Sequence, residues 1–143
     1  ARTPMFEPTR CVFCEILDTP DGNLADFLRR SLEIMKARFS IAAEIVPTSS
    51  VFAKGSLKGA ERILDICRQL QADRYVNLPG GRGLYDAKQF ASAGVNLAFV
   101  ETEWDTLDLA SECAEGPKLS ILDVLMHNSV ESIVDSLSKC RLN

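Results

Sequence analysis

The sequence predicts an α/β fold, a three-layer α/β sandwich of Rossmann-like type around a small, mostly parallel sheet. Three observations carry that expectation. Residues 41–46, 74–78 and 95–100 are short, largely apolar runs suited to buried parallel strands. The intervals between them show apolar residues at three- and four-residue steps, the period of a helix. Each interval is also long enough for the crossover that parallel pairing requires.

The size agrees with one domain. At 143 residues the chain is long enough for a real core and too short for two ordinary ones. With 46% apolar and 25% charged residues it reads as soluble and globular. Its formal net charge is −4, and its lysines and arginines are scattered, which argues against nucleic acid as a partner. No apolar run approaches the ~20 residues of a membrane span, and no signal peptide is visible. Five cysteines, an odd number spread along the chain, suit reduced thiols in a cytoplasmic protein better than a disulfide framework.

Residues 1–10 hold two prolines and no periodicity, so they read as an arm or linker. Ala1, with no methionine before it, fits a chain cut from something longer, and equally removal of the methionine or of a tag. Residues 11–17 are apolar and β-prone, an extended segment or edge strand. Cys11 and Cys14 within it form a C-x-x-C. No second such pair follows, and a redox pair would open a helix after a strand, so packing is their expected role and no metal site is predicted. Leu24, Phe27, Leu28, Leu32, Met35 and Phe39 predict an amphipathic helix over residues 23–39, capped by Asp21 or Asn23.

Thr48, Ser49 and Ser50 follow the first predicted strand, where ligands of open α/β sheets gather. They suit a polar ligand, and equally turn and cap chemistry. Ser56 is placed to cap a helix over residues 57–71. Lys54 and Lys58 lie near its start, where cations oppose the helix dipole unless an anion binds; a solvated lysine explains them as well. Residues 101–116 are acidic, carry Trp104, and read as a solvated surface loop, with general-base or metal-ligand carboxylates as the sharper alternative. Ser120 and Asp123 have capping-box spacing for a buried helix, and Asn128 and Glu131 repeat it for a last one. His127, the only histidine, is placed as a dipole partner at a helix end or as a proton-transfer group.

The centre of the sequence is the turn after residue 78. Pro79 ends the strand, and Gly80, Gly81 and Gly83 permit positive φ and a close backbone approach. Asp86 is placed to cap the next helix, with Gln89 completing a capping box. Free N–H groups between a strand and a helix, with the planar cation of Arg82, suit a phosphate or carboxylate. A tight turn that binds nothing uses the same residues.

The run Ser56-Leu57-Lys58-Gly59-Ala60-Glu61-Arg62-Ile63-Leu64-Asp65-Ile66-Cys67 is followed by Tyr75, by Gly80-Gly81-Arg82-Gly83-Leu84-Tyr85-Asp86, by Phe90 and by Gly94-Val95. Leu119 to Asn128 then ends the series. In this order the blocks resemble the WbqC-like family over about residues 24–135. Two departures stand out. A family-type amino-terminal strand and loop is missing, and His127-Asn128-Ser129 stands where the family more often has Phe-Asn-Gly. The resemblance implies a bacterial transferase domain that modifies a sugar, with an acyl or aminoacyl group, in O-antigen or lipopolysaccharide biosynthesis. In the enzyme reading, a phosphate-bearing or nucleotide-linked small-molecule substrate sits over the strand ends, held by Ser49, Ser50, Lys54, Arg62, Gly80, Gly81, Arg82, Gly83, Tyr85 and Asp86. Asp123, His127 and Asn128 are then the candidates for proton transfer. The alternative is a non-catalytic accessory module beside a neighbouring domain or in a homodimer.

Overall fold

The computed structural model describes residues 3–18, 22–53, 55–101 and 120–143. The chain forms two compact units. One holds helices α1 (Phe6–Leu17), α2 (Leu24–Arg38), α5 (Ile121–His127) and α6 (Val130–Ser138). The other holds α3 (Gly59–Gln69), β1 (Arg74–Asn77), α4 (Ala87–Ser92), β2 (Asn96–Glu101) and β3 (Arg141–Leu142), with 3-10 turns at Ser49–Val51 and Pro79–Leu84. The fold is thus mixed α/β and rich in helix, with a small open sheet of order β1-β2-β3. No helix among the described residues is long and apolar enough to cross a membrane.

In the helical unit the amino-terminal segment departs from expectation. Residues 11–17 belong to α1 rather than to an extended segment, and residues 6–10 are its first turns rather than an arm. Pro8 sits in the first turn, where its missing N–H breaks no helical bond, and Glu7 there complements the dipole. The buried residues Thr9, Val12 and Ile16 follow the helical period, a pattern a seven-residue window beginning at Cys11 cuts short. Cys11 and Cys14 are exposed, not packed.

Asn23 caps α2, its Oδ1 accepting from the N–H groups of Ala25 at 2.9 Å and Asp26 at 3.1 Å. The alternative cap, Asp21, lies outside the described residues. Ile34 is the buried anchor of α2, packed with Val12 and Ile16 and flanked by Phe27 and Met35. Leu24, Leu28 and Leu32, expected on the inner face, are exposed. A second cluster joins Phe39 to Val124, Leu125 and Ile133, with Met35 again against it. Ser40, at φ 52, turns the chain out of α2. Residues 41–46 then form no strand, and Ile41 and Val46 are exposed. An apolar run supplies β propensity but not a ladder partner, and none pairs with it here.

In the other unit β1 and β2 pair in parallel, Arg74 opposite Asn96 and Asn77 opposite Phe99. β3 adds to β2 antiparallel, with Val100 opposite Leu142. Parallel strands need a crossover, and α4 provides it. Phe90 on α4 is fully buried against Cys67, Val95 and the rings of Tyr75 and Tyr85. The Tyr75 and Phe90 rings stack with centroids 5.6 Å apart, and Tyr85 meets both edge-on at 5.6 and 5.7 Å. Such pairs add about 0.5–1.5 kcal/mol each to simple burial.

Two predictions follow from this core. Phe90→Ala removes a fully buried aromatic side chain and is expected to cost about 3–5 kcal/mol in denaturant unfolding. The Tyr75 hydroxyl is pushed up to about 12, by burial first and then by Tyr85. An unfolded tyrosine ionises near about pH 10. Between these values the unfolded chain holds fewer protons than the folded one, so stability falls as pH rises from about 10 to about 12. Phenolate absorbance is expected to show one late-titrating tyrosine, and Tyr75→Phe should flatten that loss of stability.

Candidate functional site

The carboxyl ends of β1 and β2 lie side by side because the strands are parallel and in register. The chain leaving β1 enters the 3-10 turn Pro79–Leu84. Here the glycines do something other than expected. None of Gly80, Gly81 and Gly83 has positive φ; among the described residues the positive-φ glycines are Gly55, Gly59 and Gly94. The N–H of Gly81 is not open to a ligand, since it donates to the Leu78 carbonyl at 2.9 Å. Gly81 is required for space. A Cβ there would stand 2.6 Å from Nδ2 of Asn77 and 3.1 Å from its Cγ. Gly80 and Gly83 face open space.

Arg82 projects from this turn over the end of β2. Its Nη2 donates to Oε1 of Glu101 at 3.1 Å and to Oδ1 of Asn143. Asn143 Nδ2 donates to the same Glu101 oxygen, closing a three-residue ring. The guanidinium carbon lies 4.7 Å from the Phe99 ring centroid, a cation–π contact that holds the side chain flat. The Arg82 and Glu101 side chains are 46% and 51% exposed. An ion pair this open is worth about 0–1 kcal/mol, so a phosphate can replace the carboxylate. Glu101, Asn143 and Phe99 do not stand out in the sequence: they lie 17 to 61 positions from Arg82, and only the sheet gathers them.

Arg62 has a different fate. Its side chain is 12% exposed and that of Asp65 8%. Arg62 donates to the carbonyls of Ser49 at 3.0 Å, Phe52 at 3.1 Å and Ala53, and to Asp65 Oδ2 at 3.1 Å. Asp65 also accepts from Arg68 and, at 2.7 Å, from Gln69. Gln69 binds both the N–H and the carbonyl of Ala53. Arg62 therefore straps residues 49–53 to α3, its donors engaged by those carbonyls and by Asp65. Ser49 and Ser50 form the strapped 3-10 turn, with Thr48 Oγ1 accepting from the Ser50 N–H at 3.2 Å. Lys54 lies outside the described residues, as do Glu103 to Glu115 and Trp104 of the acidic stretch.

Tyr85 sits within the aromatic core, and Asp86 caps α4 by accepting from the Lys88 N–H at 2.9 Å. Asp123, His127 and Asn128 belong to the helical unit. Ser120 caps α5, accepting from the Leu122 N–H at 3.3 Å. Asp123 Oδ2 is buried with no hydrogen-bond partner among the described residues. His127 ends α5, where a cation suits the dipole. Asn128 is not the cap of α6; Ser129 is, accepting from the Ser132 N–H at 3.2 Å. Asn128 is instead buried at the end of α5, its Nδ2 donating to the Val124 carbonyl at 2.9 Å, a structural arrangement.

A separate cleft of about 620 Å³ lies against α3, lined by Leu57, Leu64, Asp65, Cys67, Arg68 and Val95. It opens beside the segments entering β1 and β2, away from their carboxyl ends, where α/β sheets place ligands. Burial pushes the Cys67 thiol up, which disfavours the reactive thiolate.

Removing Arg62 leaves the buried Asp65 carboxylate short of a partner. Arg62→Ala is expected to cost about 3 kcal/mol, the lower end for breaking a buried pair, because Arg68 and Gln69 remain. Amide exchange in residues 49–53 should accelerate selectively. Unchanged exchange there would show that the strap does not hold the turn.

Against known proteins, the sequence model of the WbqC-like protein family matches residues 1–135, reaching further toward the amino terminus than the blocks between residues 24 and 135. No curated protein and no solved structure matches the chain. With a match over nearly its whole length, the chain belongs to the WbqC-like protein family.

Proposed function

We propose that this chain is a WbqC-like transferase domain of bacterial surface-glycan (O-antigen, lipopolysaccharide) biosynthesis that holds a phosphate-bearing or nucleotide-linked sugar at the carboxyl ends of β1 and β2. One observation carries the reading. A guanidinium stands at the joint end of two parallel strands, in an exposed and exchangeable pairing with Glu101. A substrate phosphate displaces that carboxylate and takes two parallel N–H bonds from Arg82, which a single carboxylate oxygen does not engage. Gly80 and Gly83 leave room above the turn, and Asn143 and Glu101 are then free to bind sugar hydroxyls. A nucleotide-linked substrate implies a cytoplasmic protein. The β1–α4–β2 crossover is the unit from which three-layer, Rossmann-like sheets are built, and it supports that finer reading of the fold.

One observation favours a non-catalytic accessory module instead. Of the three residues expected to move protons, Asn128 is occupied structurally, and the buried Asp123 Oδ2 has no hydrogen-bonded partner among the described residues to activate it. Such a module keeps the Arg82 site and leaves transfer to a neighbouring domain.

The test is a thermal-shift and calorimetric screen of nucleotide-sugars and acyl or aminoacyl phosphates on wild type, Arg82→Ala and Glu101→Gln. Arg82→Ala should weaken a phosphate ligand by about 1.5–3 kcal/mol, the range for a charge-assisted bond, while Glu101→Gln should preserve or strengthen binding. Equal binding by wild type and Arg82→Ala would refute the site. Transfer of the acyl group by a binding-competent chain separates enzyme from module.

A further inference from the structure

The cleft against α3 takes no part in the reading above. Its volume, about 620 Å³, falls within the range of about 300–1,000 Å³ usual for small-molecule sites. Leu57, Leu64 and Val95 give it an apolar lining, to which the Cys67 thiol, pushed up by burial, adds as a neutral group. The rest of the wall is charged: Glu61, Asp65 and Arg68 all line the cleft. Steps of four and three residues set them in one row along α3, with Leu64 beside them. Apolar walls with a few convergent polar groups are what a small-molecule site needs for affinity and orientation.

The two oxygens of Asp65 have different kinds of partner. Oδ2 accepts from Arg62 at 3.1 Å and from Gln69 at 2.7 Å, within the strap that holds residues 49–53. Oδ1 accepts from Arg68. The Asp65 side chain is 8% exposed and that of Arg68 78%. Arg68 therefore moves into water at small cost, provided that another cation takes its place on the buried carboxylate. An ammonium group meets that condition. Its three donors reach Oδ1 of Asp65 and the carboxylate of Glu61, one helical turn away. The released guanidinium, one turn further along the row, then offers its planar fork to a carboxylate. An ammonium and a carboxylate on one apolar body make a zwitterion, which enters without changing the net charge of the cleft.

We propose that the cleft against α3 is a second binding site, for an α-amino acid with a large apolar side chain. The ammonium lies between Glu61 and Asp65, the carboxylate meets Arg68, and the side chain rests on Leu57, Leu64 and Val95. Binding exchanges one internal ion pair, Asp65 with Arg68, for two pairs with the ligand. The inference is independent of the Arg82 site, since the cleft opens beside the segments entering the strands and Arg82 stands at their far end.

The experiment is a calorimetric titration of the full chain with L-phenylalanine and L-leucine. Three further probes each remove one feature: N-acetyl-L-phenylalanine the ammonium, L-phenylalaninamide the carboxylate, and glycine the apolar side chain. Wild type, Glu61→Gln, Arg68→Gln and Arg82→Ala are compared, with circular dichroism to confirm folding. Wild type and Arg82→Ala should bind one amino acid per chain, saturably. Glu61→Gln, Arg68→Gln and each blocked form of phenylalanine should weaken binding by about 10- to 150-fold, the equivalent of a lost charge-assisted bond. Glycine should bind more weakly still than L-leucine does in either variant. Failure of both L-phenylalanine and L-leucine to bind wild type overturns the proposal. So does equal binding of the acetylated or amidated form, which needs no protein variant to fold, or unchanged affinity in Glu61→Gln or Arg68→Gln. Loss of amino-acid binding in Arg82→Ala also overturns it, by moving the ligand to the other end of the strands.

Discussion

Parallel pairing of β1 with β2 is the constraint on which the sheet-bearing unit depends. Two parallel strands cannot be joined by a hairpin, so the chain must leave Asn77, cross the sheet and return at Asn96. That return needs a helix packed on the strands, and Phe90 on α4 supplies the packing with no exposed surface. The departure needs a tight turn, and Gly81 allows it by leaving the space beside Asn77 unfilled. The same register sets the two carboxyl ends together, so that Arg82 from the turn reaches Glu101 on β2. The third strand completes the arrangement, because its pairing with β2 delivers Asn143 to the same carboxylate.

Two arginines with similar sequence credentials show how burial decides role. Arg62 lies on a helix face against a turn, and its donors meet three carbonyls and the buried Asp65. Extracting it would leave a desolvated carboxylate and unpaired carbonyls, so it is structural. Arg82 stands half in water, and its partner can be exchanged at little cost. The distinction lies in their surroundings, which are assembled from residues distant in sequence.

This explains what was legible in the sequence. Helices α2, α3, α4, α5 and α6 and strands β1 and β2 were readable because each carries its own periodicity, and the caps Asn23, Ser120 and Asp86 are local chemistry. Helix α1 was hidden by Pro8, which reads as a breaker until its first-turn position is known. The expected strand at residues 41–46 failed because strand identity requires a partner, which composition does not encode. At the candidate site Arg82 was visible through its glycine context. The glycines themselves misled, since a 3-10 turn directs the Gly81 N–H to the Leu78 carbonyl instead of to a ligand. Glu101 and Asn143 had no local signature, being united with Arg82 only by the sheet.

The central claim is that ligand meets this family member at the carboxyl ends of β1 and β2. The most direct measurement is backbone and arginine side-chain chemical-shift mapping of the isotope-labelled protein during titration with a nucleotide-sugar. The account predicts that shifts concentrate at Gly80, Arg82, Gly83, Val100 and Glu101, with the Arg82 guanidinium among the largest. Shifts confined to Leu57, Leu64 and Arg68, in the cleft against α3, would contradict it.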